Sequence, residues 1–298
     1  MNYLLATDGS EYSKAAALFL SGFDLVEGDH LDILHVISQP GGFGESYEHY
    51  DRLFRVQQKL GEKILDETRG YFKTTKAAVA VHLYQGYPYH EILQAAKENN
   101  ADIIVIGSRG LMGVESFLLG SVTRKVAINA PMPVLVVKPP QGEQVTRPLR
   151  VLFATDGSPC AKKAAAALHC LALPPSTELT VIYVTGSPLG DIPERFAIEI
   201  DDHVKETVAA MKAEETLVAE ELLERQQELF KGCFASVKTV VKSGKVAPAI
   251  IDSAKDMDAD MIAIGCRGEK GLMGMLGGVS RRVLSYAPCS VLISKLPE

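Results

Sequence analysis

The sequence predicts an α/β protein made of two copies of one doubly wound, parallel five-stranded sheet domain. Three observations lead there. Short apolar runs of strand length alternate with longer helical patterns. The runs are nearly continuous in Leu, Ile and Val, as strands buried on both faces are. The whole order also occurs twice. The pentapeptide ATDGS stands at 6–10 and again at 154–158, ADIIVIGSRG (101–110) pairs with ADMIAIGCRG (259–268), and NAPMPVLVV (129–137) pairs with YAPCSVLIS (286–294). The offsets are 148, 158 and 157 residues, so the second copy carries about ten extra residues in its first half and loses one near Gly271. A repeat of this length is a duplicated domain, not a solenoid unit.

In the first copy, strands are expected at YLLAT (3–7), LDILHVI (31–37), AVAVHLY (78–84), DIIVIG (102–107) and PVLVV (133–137). Helical spacing fills the gaps: SKAAALFLSGF (13–23), a long stretch near 46–72, PYHEILQAAKEN (88–99), where Ile92, Leu93 and Ala96 share a face, and SVTRKVAINA (121–130). The second copy repeats this order, with its longest helix near 201–230. That helix is acidic (Glu214, Glu215, Glu220, Glu221, Glu224 and Glu228), which reads as a solvated face. Between the copies, KPPQGEQVTRP (138–148) has three prolines, one glycine and no apolar periodicity. It reads as an exposed linker. The domains are therefore set at 1–138 and 149–298, with the linker at 139–148.

Composition agrees with this layout. The 298 residues, 47% hydrophobic and 23% charged with 25 Gly and 15 Pro, suit two domains that each bury a core. A net charge of −6 argues against a protein that coats nucleic acid or anionic membranes. No apolar run approaches the ~20 residues of a membrane span, and MNYLLATDGS lacks the basic start and cleavage site of a signal peptide. The five cysteines (Cys160, Cys170, Cys233, Cys266 and Cys289) all lie in the second half, odd in number and without a C-x-x-C pair. Reduced thiols and a cytoplasmic location are the expectation.

In an open parallel sheet, ligands bind beyond the carboxyl ends of the strands, where strand order reverses. Two glycine-rich segments follow strands directly: Thr7-Asp8-Gly9-Ser10 and GSRGLMGVESFLLGSVTRKV (107–126). The second suits phosphate. Gly107, Gly110, Gly113 and Gly120 carry no β-carbon, so backbone N–H groups can approach oxygens closely. Gly120 and Ser121 stand at a helix start, whose N–H groups and dipole favour an anion. Ser121 and Thr123 add hydroxyls, Arg109 adds charge, and Asp8 can accept from a ribose hydroxyl or an adenine amine. The plainer reading is that the glycines shape turns and Ser121 caps a helix. No Walker A loop occurs, and no G-x-G-x-x-G follows the first strand.

The spacing Gly107-x2-Gly110-x9-Gly120-Ser121, with Asp8 after the first strand and Ala130-Pro131 before the fifth, closely resembles the universal stress protein family. The resemblance covers nearly the whole chain. It implies a Rossmann-like fold with strand order 3-2-1-4-5, and it implies ATP held by Gly107, Gly110, Gly120, Ser121, Asp8 and Val36, with Ala6 and Thr7 on the adenine side. Arg109, Val122 and Thr123 complete the expected set, with Mg or Mn held mainly by the phosphates and none by protein side chains. The family also has a branch that dimerises without nucleotide, strand 5 against strand 5. Here the two copies would make that pair within one chain, as a pseudo-dimer, and the chain would remain able to form a homodimer.

The second copy departs from the pattern. Asp156, Val184, Gly265, Arg267 and Gly268 match, but either Gly277 or Gly278 can fill the third glycine slot. Both alignments remove the first hydroxyl, leaving Ser280 as its replacement. One intact and one degenerate site are expected. His35, beside Val36, could touch a ligand, though the plainer reading is a packed strand histidine, and Cys160 and Cys266, in the second copy's two candidate loops, leave a redox role open beside the plainer reading as small residues. No nucleophile–base–orienter set is evident. Three functions remain open at this stage: a nucleotide-responsive stress or regulatory protein with little turnover, a nucleotide-free interaction scaffold, and a slow ATP hydrolase.

Overall fold

A computed structural model describes residues 1–38, 47–111, 119–140, 147–186, 202–266 and 276–295. The first copy runs β1 (Asn2–Ala6), α1 (Glu11–Ser21), β2 (His30–Ser38), α2 (Tyr47–Gly70), β3 (Ala78–Gly86), α3 (Pro88–Glu98), β4 (Ile103–Gly107), α4 (Ser121–Asn129) and β5 (Val134–Val137). The second runs β6 (Arg150–Ala154), α5 (Pro159–Cys170), β7 (Glu178–Thr185), α6 (Asp202–Leu229), β8 (Ser236–Ser243), α7 (Val246–Asp256), β9 (Met261–Gly265), α8 (Gly278–Tyr286) and β10 (Ser290–Ser294). The α/β class and the strand order 3-2-1-4-5 hold in each copy, since the sheet reads β3-β2-β1-β4-β5-β10-β9-β6-β7-β8.

Boundaries follow local chemistry. Helix α1 starts two residues before the apolar pattern does, because the Ser10 side chain caps it by accepting from Ser13 N. Ser158 does the same for α5, accepting from Ala161 N. Strand β4 is buried at all five positions, the signature of a central parallel strand covered on both faces.

Among the described residues, every strand pair is parallel except one. Strand β10 lies antiparallel to β5, with Leu292 opposite Leu135, Val291 opposite Val136 and Ile293 opposite Val134. An apolar edge strand exposes unpaired backbone groups, and here each copy's edge covers the other's. Side chains alternate between the two faces of this continuous sheet. One face collects Leu4, Ile104, Val134, Leu152, Ile262 and Val291, and the other collects Leu5, Ile103, Leu135, Val151, Met261 and Leu292. Each core layer therefore contains residues of both copies.

Lys138, just past β5, reinforces the junction. Its Nζ donates to the carbonyl of Ala287 at 2.6 Å and lies 3.5 Å from that of Ser285, which places a cation at the C-terminal end of α8. Burial pulls this ammonium down to about 8 from its ordinary 10.5, with Cys289 opposing and Arg109 reinforcing the shift. The unfolded chain then keeps the proton to higher pH than the folded one, so Lys138's contribution to stability grows as pH rises from about 8 towards 10.5. Lys138→Met removes that gain. In urea melts at successive pH values, wild-type minus variant stability should climb across the interval, whereas a flat difference would contradict the burial argument.

Candidate functional site

The loop after β1 is a compact turn. Gly9 takes φ +76°, and Asp8 Oδ1 accepts from Ser10 N at 3.0 Å and from Ser10 Oγ at 2.6 Å. The other oxygen, Oδ2, accepts from Leu111 N at 3.2 Å, across 103 residues of sequence. One carboxylate thus straps the β1 loop to the β4 loop. A carboxylate offers about four acceptor positions, so Asp8 retains capacity for a further donor. Gly110 lies so close that a β-carbon there would sit 2.5 Å from Asp8 Oδ2.

The β4 side is set by backbone contact. A β-carbon on Gly107 would fall 2.7 Å from the carbonyl of Tyr12 and 2.9 Å from Ser13 N, so α1 packs directly on the end of β4. Gly120 N donates to Ser108 O at 2.9 Å, and Gly120 is the N-cap of α4 with no capping side chain. The first N–H groups of α4 lack the usual side-chain acceptor there, which favours an anion. Ser121 is exposed at the first helical position. Arg109 Nη1 donates to Tyr12 Oη at 3.1 Å, and its guanidinium sits 5.5 Å from the centre of the Tyr12 ring.

These segments enclose a cavity of about 480 Å³ beyond the carboxyl ends of β1, β2 and β4. All eleven residues expected in the first copy line it: Ala6, Thr7, Asp8, Val36, Gly107, Arg109, Gly110, Gly120, Ser121, Val122 and Thr123. Thr123 differs from expectation in its chemistry. It is 3% exposed and its hydroxyl donates to Gly107 O at 2.7 Å, so it pins α4 to β4 and offers the cavity no free proton.

Several further residues line the cavity. His35, which the sequence left open as a ligand contact, faces it, with Nδ1 2.8 Å from Thr7 O. A carbonyl only accepts, so Nδ1 carries the proton. Gln57, Leu60 and Ile64 arrive on α2, and Pro88 and Ile92 on α3. The one local clue to α2 is Gly61, where a β-carbon would lie 2.7 Å from Leu83 Cδ1 and 3.0 Å from the His35 ring.

The second copy resolves the alignment. Gly277 is the N-cap of α8 and donates to Cys266 O at 2.8 Å, as Gly120 does to Ser108 O, and Gly278 opens the helix where Ser121 does. The loop is therefore one residue short and glycine occupies the serine position. Ser280 does not stand in for that hydroxyl. It is 2% exposed, 2.5 Å from Cys266 O and 3.1 Å from Gly277 O, the counterpart of Thr123. Asp156 Oδ1 accepts from Ser158 N at 3.0 Å, and Val184 packs at the edge of the core. Gly265 abuts Cys160, while Arg267 and Gly268 lie outside the described residues. A second cavity, of about 380 Å³, lies between α7 and the strands β6, β7 and β8, and none of these residues lines it. Among the described residues, no group of three His, Cys, Asp or Glu side chains is placed to hold a metal, and no helix is long and apolar enough to cross a membrane.

A repeated doubly wound α/β unit, with a glycine-lined cavity beyond the strand that meets its neighbour across the switch point, defines a Rossmann-like protein. The model of the universal stress protein family matches residues 1–138 and again 149–295, and the chain belongs to that family. A universal stress protein of Thermus aquaticus, named for its position in a QAH/OAS sulfhydrylase 3′ region, is 35% identical over 136 residues, which are 45% of this chain and 96% of the relative. Universal stress protein YxiE of Bacillus subtilis is 37% identical over 147 residues, 45% of this chain and 97% of the relative. These relatives correspond to about half of this chain. A universal stress protein structure from Archaeoglobus fulgidus matches 99% of this chain and 98% of its own, with TM-score 0.66 and 23% identity, a likeness of fold.

Proposed function

We propose that the first copy binds ATP in the cavity beyond β1, β2 and β4, and that the protein acts as a nucleotide-responsive stress or regulatory protein with little turnover. The observation that carries this reading is convergence. Residues from four separate segments, named by the phosphate chemistry of the glycine loop and by the family resemblance, line one cavity whose volume suits a small-molecule ligand. The phosphates would lie at the uncapped start of α4, near Ser121 and Arg109, and the nucleoside against Ala6, Thr7, Asp8 and Val36. Mg or Mn would be held mainly by the phosphates. In this reading the β5–β10 pairing persists in solution and the second copy carries the degenerate site.

Mass analysis of small molecules released from the denatured protein should find adenine nucleotide near one per chain. Added ATP should raise the melting temperature, since binding stabilises by RT ln(1 + [L]/Kd). Gly110→Ala is the informative variant. Its β-carbon would displace the Asp8 carboxylate, which is the mobile end of a side chain, so the fold should survive while ATP affinity falls at least ~10-fold, equivalent to about 1.4 kcal/mol. Unchanged affinity in a folded Gly110→Ala protein would refute the site. Steady ADP release would instead favour the hydrolase.

A further inference from the structure

Two thiols in the second copy have no part in the site described above. Cys160 lies in the first turn of α5 and Cys266 follows β9 directly, and their Sγ atoms are 3.4 Å apart across 106 residues of sequence. Both are present as reduced thiols and both are buried, at 5% and 1% exposure. Their approach is enforced by the backbone. A β-carbon on Gly265 would lie 2.7 Å from the carbonyl carbon of Cys160 and from Ala161 N, so the first turn of α5 rests on the end of β9. The same junction in the first copy sets Tyr12 against Gly107, with Ser108 at the position of Cys266 and Tyr12 accepting from Arg109. Where the first copy places Tyr12 and Ser108, the second places two sulfurs in contact.

We propose that Cys160 and Cys266 form a reversible disulfide, oxidised by a hydroperoxide and reduced by a dithiol. One thiolate attacks a peroxide oxygen. The O–O bond breaks, a sulfenic acid forms, and the other oxygen leaves as water or an alcohol once protonated. The second thiol then attacks the sulfenic sulfur. The S–S bond forms as the S–O bond breaks, and water leaves carrying the thiol proton. Two electrons have passed from the sulfurs to the peroxide. A dithiol returns two electrons and two protons by exchange through a mixed disulfide. The sulfurs would have to close from 3.4 Å to about 2.05 Å. Of the remaining thiols, Cys170 and Cys233 are exposed, and Cys289 is buried between α8 and β10. The bond would fasten α5 to β9 at the start of the second copy's glycine loop, so that this copy responds to oxidant.

The test uses the reduced full-length protein, treated with hydrogen peroxide, blocked with N-ethylmaleimide and digested without reductant. Mass spectrometry should show a peptide pair joined through Cys160 and Cys266, two hydrogens lighter than the free peptides, that vanishes on treatment with dithiothreitol. The oxidised protein should also melt higher than the reduced one by roughly 5–10 °C, because the bond closes a long loop. A Cys170→Ser/Cys233→Ser variant, which keeps the buried pair, should give the same linked peptides. The proposal falls if Cys160 and Cys266 are recovered separately alkylated or over-oxidised at a peroxide dose that consumes Cys170 and Cys233. It also falls if either of the two is linked to a different cysteine.

Discussion

Gly107→Ala is expected to destabilise the protein by about 3 kcal/mol, at the upper end of what overpacking usually costs. The added β-carbon would meet the Tyr12 carbonyl carbon and oxygen at 2.7 Å and Ser13 N at 2.9 Å, all of them backbone atoms of α1. No rotamer change relieves such a contact. Helix α1 would have to lift from β4, opening the core around Ala16, Ala17 and Leu20. Gly70→Ala is the matched control, because nothing lies within 4 Å of its β-carbon position at the end of α2. It should be neutral or stabilising by a few tenths of a kcal/mol. Urea melts of the two variants check the contrast, and equal losses at both sites would show that close approach at Gly107 is not the cause.

Leu135→Ala should cost about 3 kcal/mol and should weaken both copies together. Leu135 is fully buried, pairs with Leu292 across the β5–β10 junction, and shares its core layer with Val151, Phe153 and Met261 of the second copy. Truncating such a leucine removes packing from a layer that belongs to both halves. Calorimetry of the wild type should therefore show one cooperative transition, moved to lower temperature as a whole in the variant. Two transitions, with only the first lowered, would mean that the copies unfold independently.

Much of the fold was legible because its signals are local or repeated. The continuous apolar run at Ile103–Gly107 marks a doubly covered strand, and the duplicated ATDGS and glycine segments place equivalent loops at equivalent strand ends. The cavity's floor was legible for the same reason. Its far wall was not. Gln57, Leu60 and Ile64 sit on a long amphipathic helix whose register over β2 and β3 depends on packing at Gly61.

Hydroxyl chemistry divides in the same way. Ser121, Thr123 and Ser280 look alike as donors beside a glycine loop, yet Ser121 is exposed at the helix start while Thr123 and Ser280 turn inward to backbone carbonyls. Helix phase decides which carbonyl a side chain meets, and that phase is set by where the helix docks. The choice between Gly277 and Gly278 likewise rested on a hydrogen bond to Cys266 O, which no spacing reveals.

By itself, then, the sequence determined a duplicated α/β unit, the strands that carry its loops and the residue types at the first copy's anion loop, because periodicity, caps and glycine spacing are encoded in neighbouring residues. Only the tertiary structure decided that Asp8 straps two loops, that His35 faces the cavity and that two cysteines 106 residues apart bring their sulfurs to 3.4 Å. Each of those depends on how closely separate elements approach, and glycines at the strand ends permit a closeness that side-chain patterns do not express.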